Sequence, residues 1–232
     1  MLTDALTYLK HSTDAWKTTL IGGLFVLLSV FIVPMFFVWG YVVRVLERTA
    51  RGNDEAPTFD DWRELTVDGA KAVAILAAYA LVPIVVGGLL FGGLWFAVGT
   101  DPGTLGSAAI AVASLLMLAL TITVAYVVPA ALARFATEGR LRAGFEFDAL
   151  RPSLATSTYA VGWLLALGIV FAGSLLAGLL GEVPVVGALL GAIVSFYALV
   201  AAYYVVGQTW ADLHPVSLEE GREEPSSERP AV

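Results

Sequence analysis

Charge in this chain is confined to short blocks, and the stretches between them carry none. There is no Asp, Glu, Lys or Arg from Thr18 to Tyr41, from Ala72 to Thr100, from Pro102 to Ala133, from Pro152 to Gly181 or from Val183 to Ala211. Each stretch matches or exceeds the roughly 20 apolar residues that a helix needs to cross a bilayer. A charge near the bilayer centre costs several kcal/mol, so its repeated absence marks hydrocarbon as the solvent. The pattern predicts an all-α fold: a polytopic membrane helix bundle of about five transmembrane helices.

Composition agrees. The chain is 58% hydrophobic and 14% charged, against about 45–50% and about 25% in soluble domains. It has no Cys, which excludes a disulfide framework, a thiolate metal site and a cysteine nucleophile. The two histidines, His11 and His214, lie at opposite ends, which argues against a histidine metal site or proton relay. Charged residues scattered through 1–17 argue against a signal peptide. The net charge of −7 and the scarcity of Lys beside Arg fit an acidic, salt-adapted protein of haloarchaeal type and speak against nucleic acid as a partner.

Along the chain, residues 1–17 read as an interfacial amphipathic helix, with Leu2, Leu6 and Leu9 on one side. Residues 18–211 form the transmembrane domain, in which the five spans begin near Thr18, Ala70, Ser107, Ala155 and Val186. Residues 212–232 form an acidic tail of disordered composition. Two polar connections, about Gly52 to Gly69 and Arg134 to Pro152, hold most of the arginines, and Lys and Arg mark the cytoplasmic side. This assigns the connections and the carboxyl terminus to the cytoplasm and the amino terminus to the outside of the cell membrane; the alternative, a first span that is a re-entrant hairpin broken at Pro34, places the amino terminus in the cytoplasm.

The connections resemble each other. Thr58-Phe59-Asp60-Asp61-Trp62-Arg63 aligns with Glu146-Phe147-Asp148-Ala149-Leu150-Arg151, which indicates a parallel repeat of units at about 18–98 and 107–180, with an extra helix at about 186–211. Phe59 and Phe147 read as interfacial anchors. Asp60, Asp61 and Asp148 read as amino-terminal helix caps, and Trp62 marks the interface.

Three groups of residues are candidates for function. Arg44, Arg48, Arg51, Arg134, Arg140 and Arg142 offer contacts to anionic lipid. Pro34, Pro83 and Pro129, with Gly87 and Gly88, are places where helices break to form a site at membrane depth. The pairs Gly88/Gly92 and Gly187/Gly191 put small residues on one helix face, for packing within the bundle or between copies in a homo-oligomer. No catalytic or metal-ligand constellation is present, and no cofactor is implied.

Gly40-Tyr41-Val42-Val43-Arg44, then Gly52, then Pro57-Thr58-Phe59-Asp60-Asp61-Trp62 and Asp68-Gly69 resemble the archaeal integral membrane family called domain of unknown function 4013. The likeness covers about Trp16 to Trp210. It implies a membrane protein found largely in archaea, with no assigned activity. The reading reached from sequence is a non-enzymatic membrane protein with a structural or organising role. Its alternative is a small transporter or channel subunit with a site near the broken helices.

Overall fold

The computed structural model describes residues 2–8, 15–53, 55–99 and 102–215. Among them the secondary structure is entirely helical: α1 (Leu2–Thr7), α2 (Ala15–Leu27), α3 (Ile32–Ala50), α4 (Trp62–Val98), α5 (Gly103–Glu138), α6 (Phe147–Leu154), α7 (Ser157–Gly181) and α8 (Val186–Leu213). Short 3-10 turns at Leu28–Val30 and Leu141–Phe145 precede α3 and α6. Four helices, α4, α5, α7 and α8, are long and apolar enough to cross a membrane. The all-α bundle expected from the charge-free stretches is what folds. The tail that the sequence marks as disordered lies, beyond Pro215, outside the described residues.

The first expected span is not one helix. After α2 the chain passes through the 3-10 turn, and Phe31 adopts an extended conformation at φ −90°, ψ 133° before α3 begins. The expected breaker, Pro34, instead sits in the first turn of α3, where a backbone N–H has no intrahelical acceptor and its loss costs little. The two helices fold back on each other. The rings of Phe25 and Phe37 stack with centroids 5.0 Å apart, although a straight helix would separate them by about 18 Å.

Contacts with α8 give the direction of each arm. Gly22 meets Phe196 and Gly23 meets Ile193, so α2 runs antiparallel to α8. Tyr41 meets Phe196 and Thr49 meets Gly207, so α3 runs parallel to it. The start of α2 therefore lies at the end of the molecule that holds the connections. Tyr8 of the amino-terminal segment also packs there, on Tyr204 at 4.2 Å, with its hydroxyl donating to the Glu55 carbonyl at 3.3 Å. The described amino-terminal residues thus pack at the end of the molecule that holds the connections. Of the expected interfacial helix at 1–17, α1 covers Leu2–Thr7, and residues 9–14 lie outside the described ones; Ala5 in α1 and Tyr8 just after it are buried, while Leu2 and Leu6 are exposed.

Pro83 and Pro129 do not break helices. α4 continues through the first and α5 through the second. Around both residues the neighbouring turns are apolar and uncharged, and helix is the state that keeps the backbone hydrogen bonds internal.

The core gathers at one end. α4 buries Leu65, Gly69, Ala72, Ile75 and Tyr79, a stripe at spacings of three and four, and nothing after it. α5 buries Ala130 to Ala133, Phe135 and Ala136 near its end, and α7 buries Tyr159, Gly162, Ala166 and Ile169 near its start. α8 is the central helix, packed on α7, α2, α3 and α5. The far halves of α4, α5 and α7 present leucine, valine and phenylalanine outward.

Candidate functional site

The first connection is closed by Arg44. Its guanidinium leaves α3 only 12% exposed and donates to the carbonyls of Thr58, Asp60 and Asp61, to Asp60 Oδ1 at 2.7 Å and to Glu64 Oε2 at 3.4 Å. These five acceptors gather on Nη1 and Nη2, so Arg44 is a clip that ties α3 to the start of α4. Asp60 is held by the same clip and by the Thr58 hydroxyl, which donates to its second carboxylate oxygen at 2.9 Å. These partners, Thr58 first and Arg44 after it, lower its pKa below the usual carboxylate value, against the opposing effect of desolvation.

The expected helix caps are not formed as such. Asp61 occupies the position before α4, but its side chain makes no cap bond and its backbone is left-handed at φ 48°. Its carbonyl, not its carboxylate, serves the helix, accepting from Leu65 N–H at 3.0 Å. Asp148 lies inside the first turn of α6, where a carboxylate meets the positive end of the helix dipole. Phe59 is not a lipid anchor either. It stacks on Tyr41 at 4.6 Å within an aromatic cluster that includes Phe25, Trp62 and Phe196.

The second connection repeats the logic with other residues. Arg134 on α5 pairs with Glu138 at 2.9 Å and with Glu146 at 2.8 Å. Arg140 pairs with Glu138 and reaches Glu146 at 3.9 Å. Arg51 pairs with Glu47 one turn back at 2.8 Å. Of the six arginines singled out for lipid contact, Arg44, Arg51, Arg134 and Arg140 are therefore engaged with carboxylates. Arg48 and Arg142 enter no ion pair among the described residues. α3 and α5 each end in a left-handed glycine, Gly52 at φ 75° and Gly139 at φ 69°, a conformation that other residues adopt only with strain.

A third feature joins these ends. Where α3, α5 and α8 terminate, Arg51, Arg134, Thr137, Glu138, Trp210 and His214 line a cavity of about 450 Å³. His214 stacks on Trp210 at 4.2 Å, and its ring nitrogens lie 3.3 Å from Ser153 Oγ and 3.1 Å from the Trp210 carbonyl oxygen. The sequence reading dismissed His214 as isolated. The signal present was its spacing of four from Trp210, which places both on one helix face. Ser153 is buried, and this contact fastens α6 to α8.

Two other spaces are apolar. Leu2, Leu6, Leu165, Gly168, Ile193 and Tyr197 are among the residues lining a groove of about 700 Å³ between α1, α7 and α8, and a void of about 130 Å³ lies between α5, α7 and α8. Among the described residues no group of three His, Asp or Glu side chains could hold a metal ion.

The glycine pairs divide. An added Cβ at Gly187 would collide with the Leu180 carbonyl, and one at Gly191 would press on Ala177, so this pair packs α8 against α7. Gly88 and Gly92 face open space within the chain, which removes the intrachain packing expected for them. Gly87 touches only the flexible end of Met117. Equally close backbone approaches lie at Gly40 and Gly69, where α3 and α4 cross with each glycine against a carbonyl of the other helix.

No curated protein and no solved structure matches this chain. A family described as "Protein of unknown function (DUF4013)" matches residues 23–182. That range holds the α2–α3 hairpin, both clipped connections and the hairpins up to the end of α7, well over half of the sequence, and the chain belongs to the DUF4013 family.

Proposed function

We propose that this chain is a non-enzymatic organising protein of the cell membrane whose partner is lipid. The observation that carries the reading is the lining of its spaces. The groove and the void between the helices are apolar, whereas cavities with charged walls sit at the ends of α3, α5 and α8 and beside the short α6. A transport path needs polar groups at membrane depth. The uninterrupted courses of α4 through Pro83 and α5 through Pro129 withdraw the broken helices on which a carrier reading rested.

Both ends and both connections are assigned to the cytoplasm. Neither opposite turn, 99–102 or 182–185, contains Lys or Arg, so the bias set by positive charge is strong once the amino-terminal segment joins the connection side. A parallel duplication is proposed as well, supported by the matching glycine closures of α3 and α5. An archaeal, salt-adapted source is proposed from the acidic, lysine-poor composition.

The test is flux. In vesicles loaded with reporters for protons, sodium, potassium and chloride, the reconstituted protein is expected to leak no more than protein-free vesicles. A protein-dependent, saturable flux of any of these ions refutes the organising role. Orientation is read separately from single cysteines placed in this cysteine-free chain at Asn53 and Val183: labelling by an impermeant reagent from outside is expected at 183 and not at 53.

A further inference from the structure

We propose that the short helix α6 and the 3-10 turn before it form a headgroup-binding collar, in which Arg142 and Arg151 take the phosphates of anionic membrane lipid. The inference rests on the membrane role above and names the surface that contacts the lipid.

The collar is pinned at the boundary between the buried and exposed parts of α4. Tyr79 is the last buried residue of that helix, and Leu81, Val82, Ile84 and Val85 beyond it are exposed. The Tyr79 hydroxyl donates to the Gly144 carbonyl at 2.8 Å, Phe145 stacks on its ring at 5.7 Å and Phe147 meets the ring edge at 5.8 Å. The other end of α6 is fixed by Tyr126, whose hydroxyl donates to the Leu154 carbonyl at 2.8 Å. Leu150 and Ser153 turn inward and are buried. Aromatic side chains at such a boundary are the mark of the water–lipid interface.

Each arginine stands beside an exposed aromatic. In a 3-10 helix residues three apart eclipse, which puts Arg142 over Phe145. In α6, Phe147 and Arg151 are four apart on one face and together line a shallow cavity of about 380 Å³ with Asp148, Leu154 and Ala155. Neither Arg142 nor Arg151 enters an ion pair among the described residues, whereas the neighbouring Glu146 is already engaged by Arg134 and Arg140. Exposed Phe rings enter the acyl boundary while guanidinium groups meet phosphate oxygens, which accept the planar fork in pairs. Asp148 beside Arg151 sets the net charge of this site, so the preference is for single phosphate groups and moderate in size.

The full chain, reconstituted in phosphatidylcholine bilayers with a trace of spin-labelled phosphatidylglycerol or spin-labelled phosphatidylcholine, tests this through the fraction of each label immobilised by protein. The expected result is a severalfold preference for phosphatidylglycerol that falls to near one in the double variant Arg142→Gln/Arg151→Gln. The preference should persist in Arg142→Lys/Arg151→Lys and in Arg51→Gln/Arg140→Gln, whose arginines are spent on carboxylates. Absence of preference in the unaltered chain, its survival in the first variant, or equal loss in both glutamine pairs overturns the proposal. Displacement of the label by soluble glycerol phosphate also overturns it, in favour of a soluble ligand. If the double variant does not fold, Arg151→Gln alone must show an intermediate fall. Failure of the organising role would appear instead as ion flux, a separate readout.

Discussion

The two ends of this molecule obey different rules. At the connection end, α3, α5, α8 and the starts of α4 and α7 bury a continuous core and spend their arginines on carboxylates and carbonyls. At the other end the same helices are equally apolar but largely exposed; among the residues buried in the far half of α5 are Gly106 and Ala113. Apolarity alone therefore does not say where packing occurs. What separates the ends is polar contact between elements. Glycines approach carbonyls at both, Gly40 and Gly69 at the connection end and Gly187 at the α7–α8 turn, but at the connection end ion pairs and side-chain hydrogen bonds also join the elements, which adds directional constraint to apolar contact. At the exposed end lipid tails are as good a neighbour as another helix.

The largest expected effect tests close approach directly. An added side chain at Gly69 would drive into the Phe36 carbonyl, and backbone cannot yield as a flexible side chain can. Gly69→Leu should therefore cost more than the about 1–3 kcal/mol typical of overpacking and lower the melting temperature in detergent sharply, or prevent folding. An unchanged melting temperature would mean that the crossing of α3 and α4 is not close.

Next comes the clip. Arg44→Met keeps length and apolar contact but strands the carbonyls of Thr58, Asp60 and Asp61. Its carboxylate partners are more than half exposed and recover water. The expected cost is about 2–3 kcal/mol, below that of breaking a fully buried pair. The matching change at the exposed Arg142 should cost close to nothing in stability, although it lowers lipid preference part of the way. Equal losses at the two sites would erase the distinction between clipped and free arginines.

Smaller still is Tyr79→Phe, which removes one hydrogen bond to Gly144 while keeping both ring contacts. A loss of about 1 kcal/mol is expected in the melting transition. A similar change at Tyr197, nearer the exposed end, provides the contrast.

Acid titration separates the ends by charge. Because Asp60 has a lowered pKa when folded, it stabilises the connection end above its unfolded value of about 3.9, and the contribution disappears as pH falls through the folded value. The loss on acidification should be modest, since Asp60 is well exposed, and it should be absent in Asp60→Asn. A loss of the same size in both proteins would assign the effect to another carboxylate.

The sequence made some of this legible and hid the rest for physical reasons. The helices α4, α5, α7 and α8 were readable because hydrocarbon excludes charge over whole spans. The hairpin of α2 and α3 was not, because its turn at Leu28 to Phe31 is as apolar as a helix and carries no Gly or Pro; Pro34, the visible signal, marks a helix start. The prolines at 83 and 129 misled because a chain in an apolar setting keeps helical hydrogen bonds through them. The arginines are visible in the sequence as clusters at the connections, but composition does not reveal which carboxylate each one meets. Phe147 and Arg151, four apart, carried the collar's signal; it was visible only as part of the repeat.

The smallest expected effect falls on Gly88. Its spacing to Gly92 is what helix association uses, yet within the chain nothing lies within reach of a side chain added at either position. Gly88→Leu should therefore leave the melting temperature of dilute, detergent-solubilised protein unchanged within error, or raise it slightly, because leucine is the better helix former by about 0.8 kcal/mol. That outcome sets Gly88 against Gly69: two glycines of one helix, one in contact with backbone and one facing lipid. A drop in stability that grows with protein concentration would place a second copy against this face, and the exposed end would then be an interface and not a lipid-facing surface.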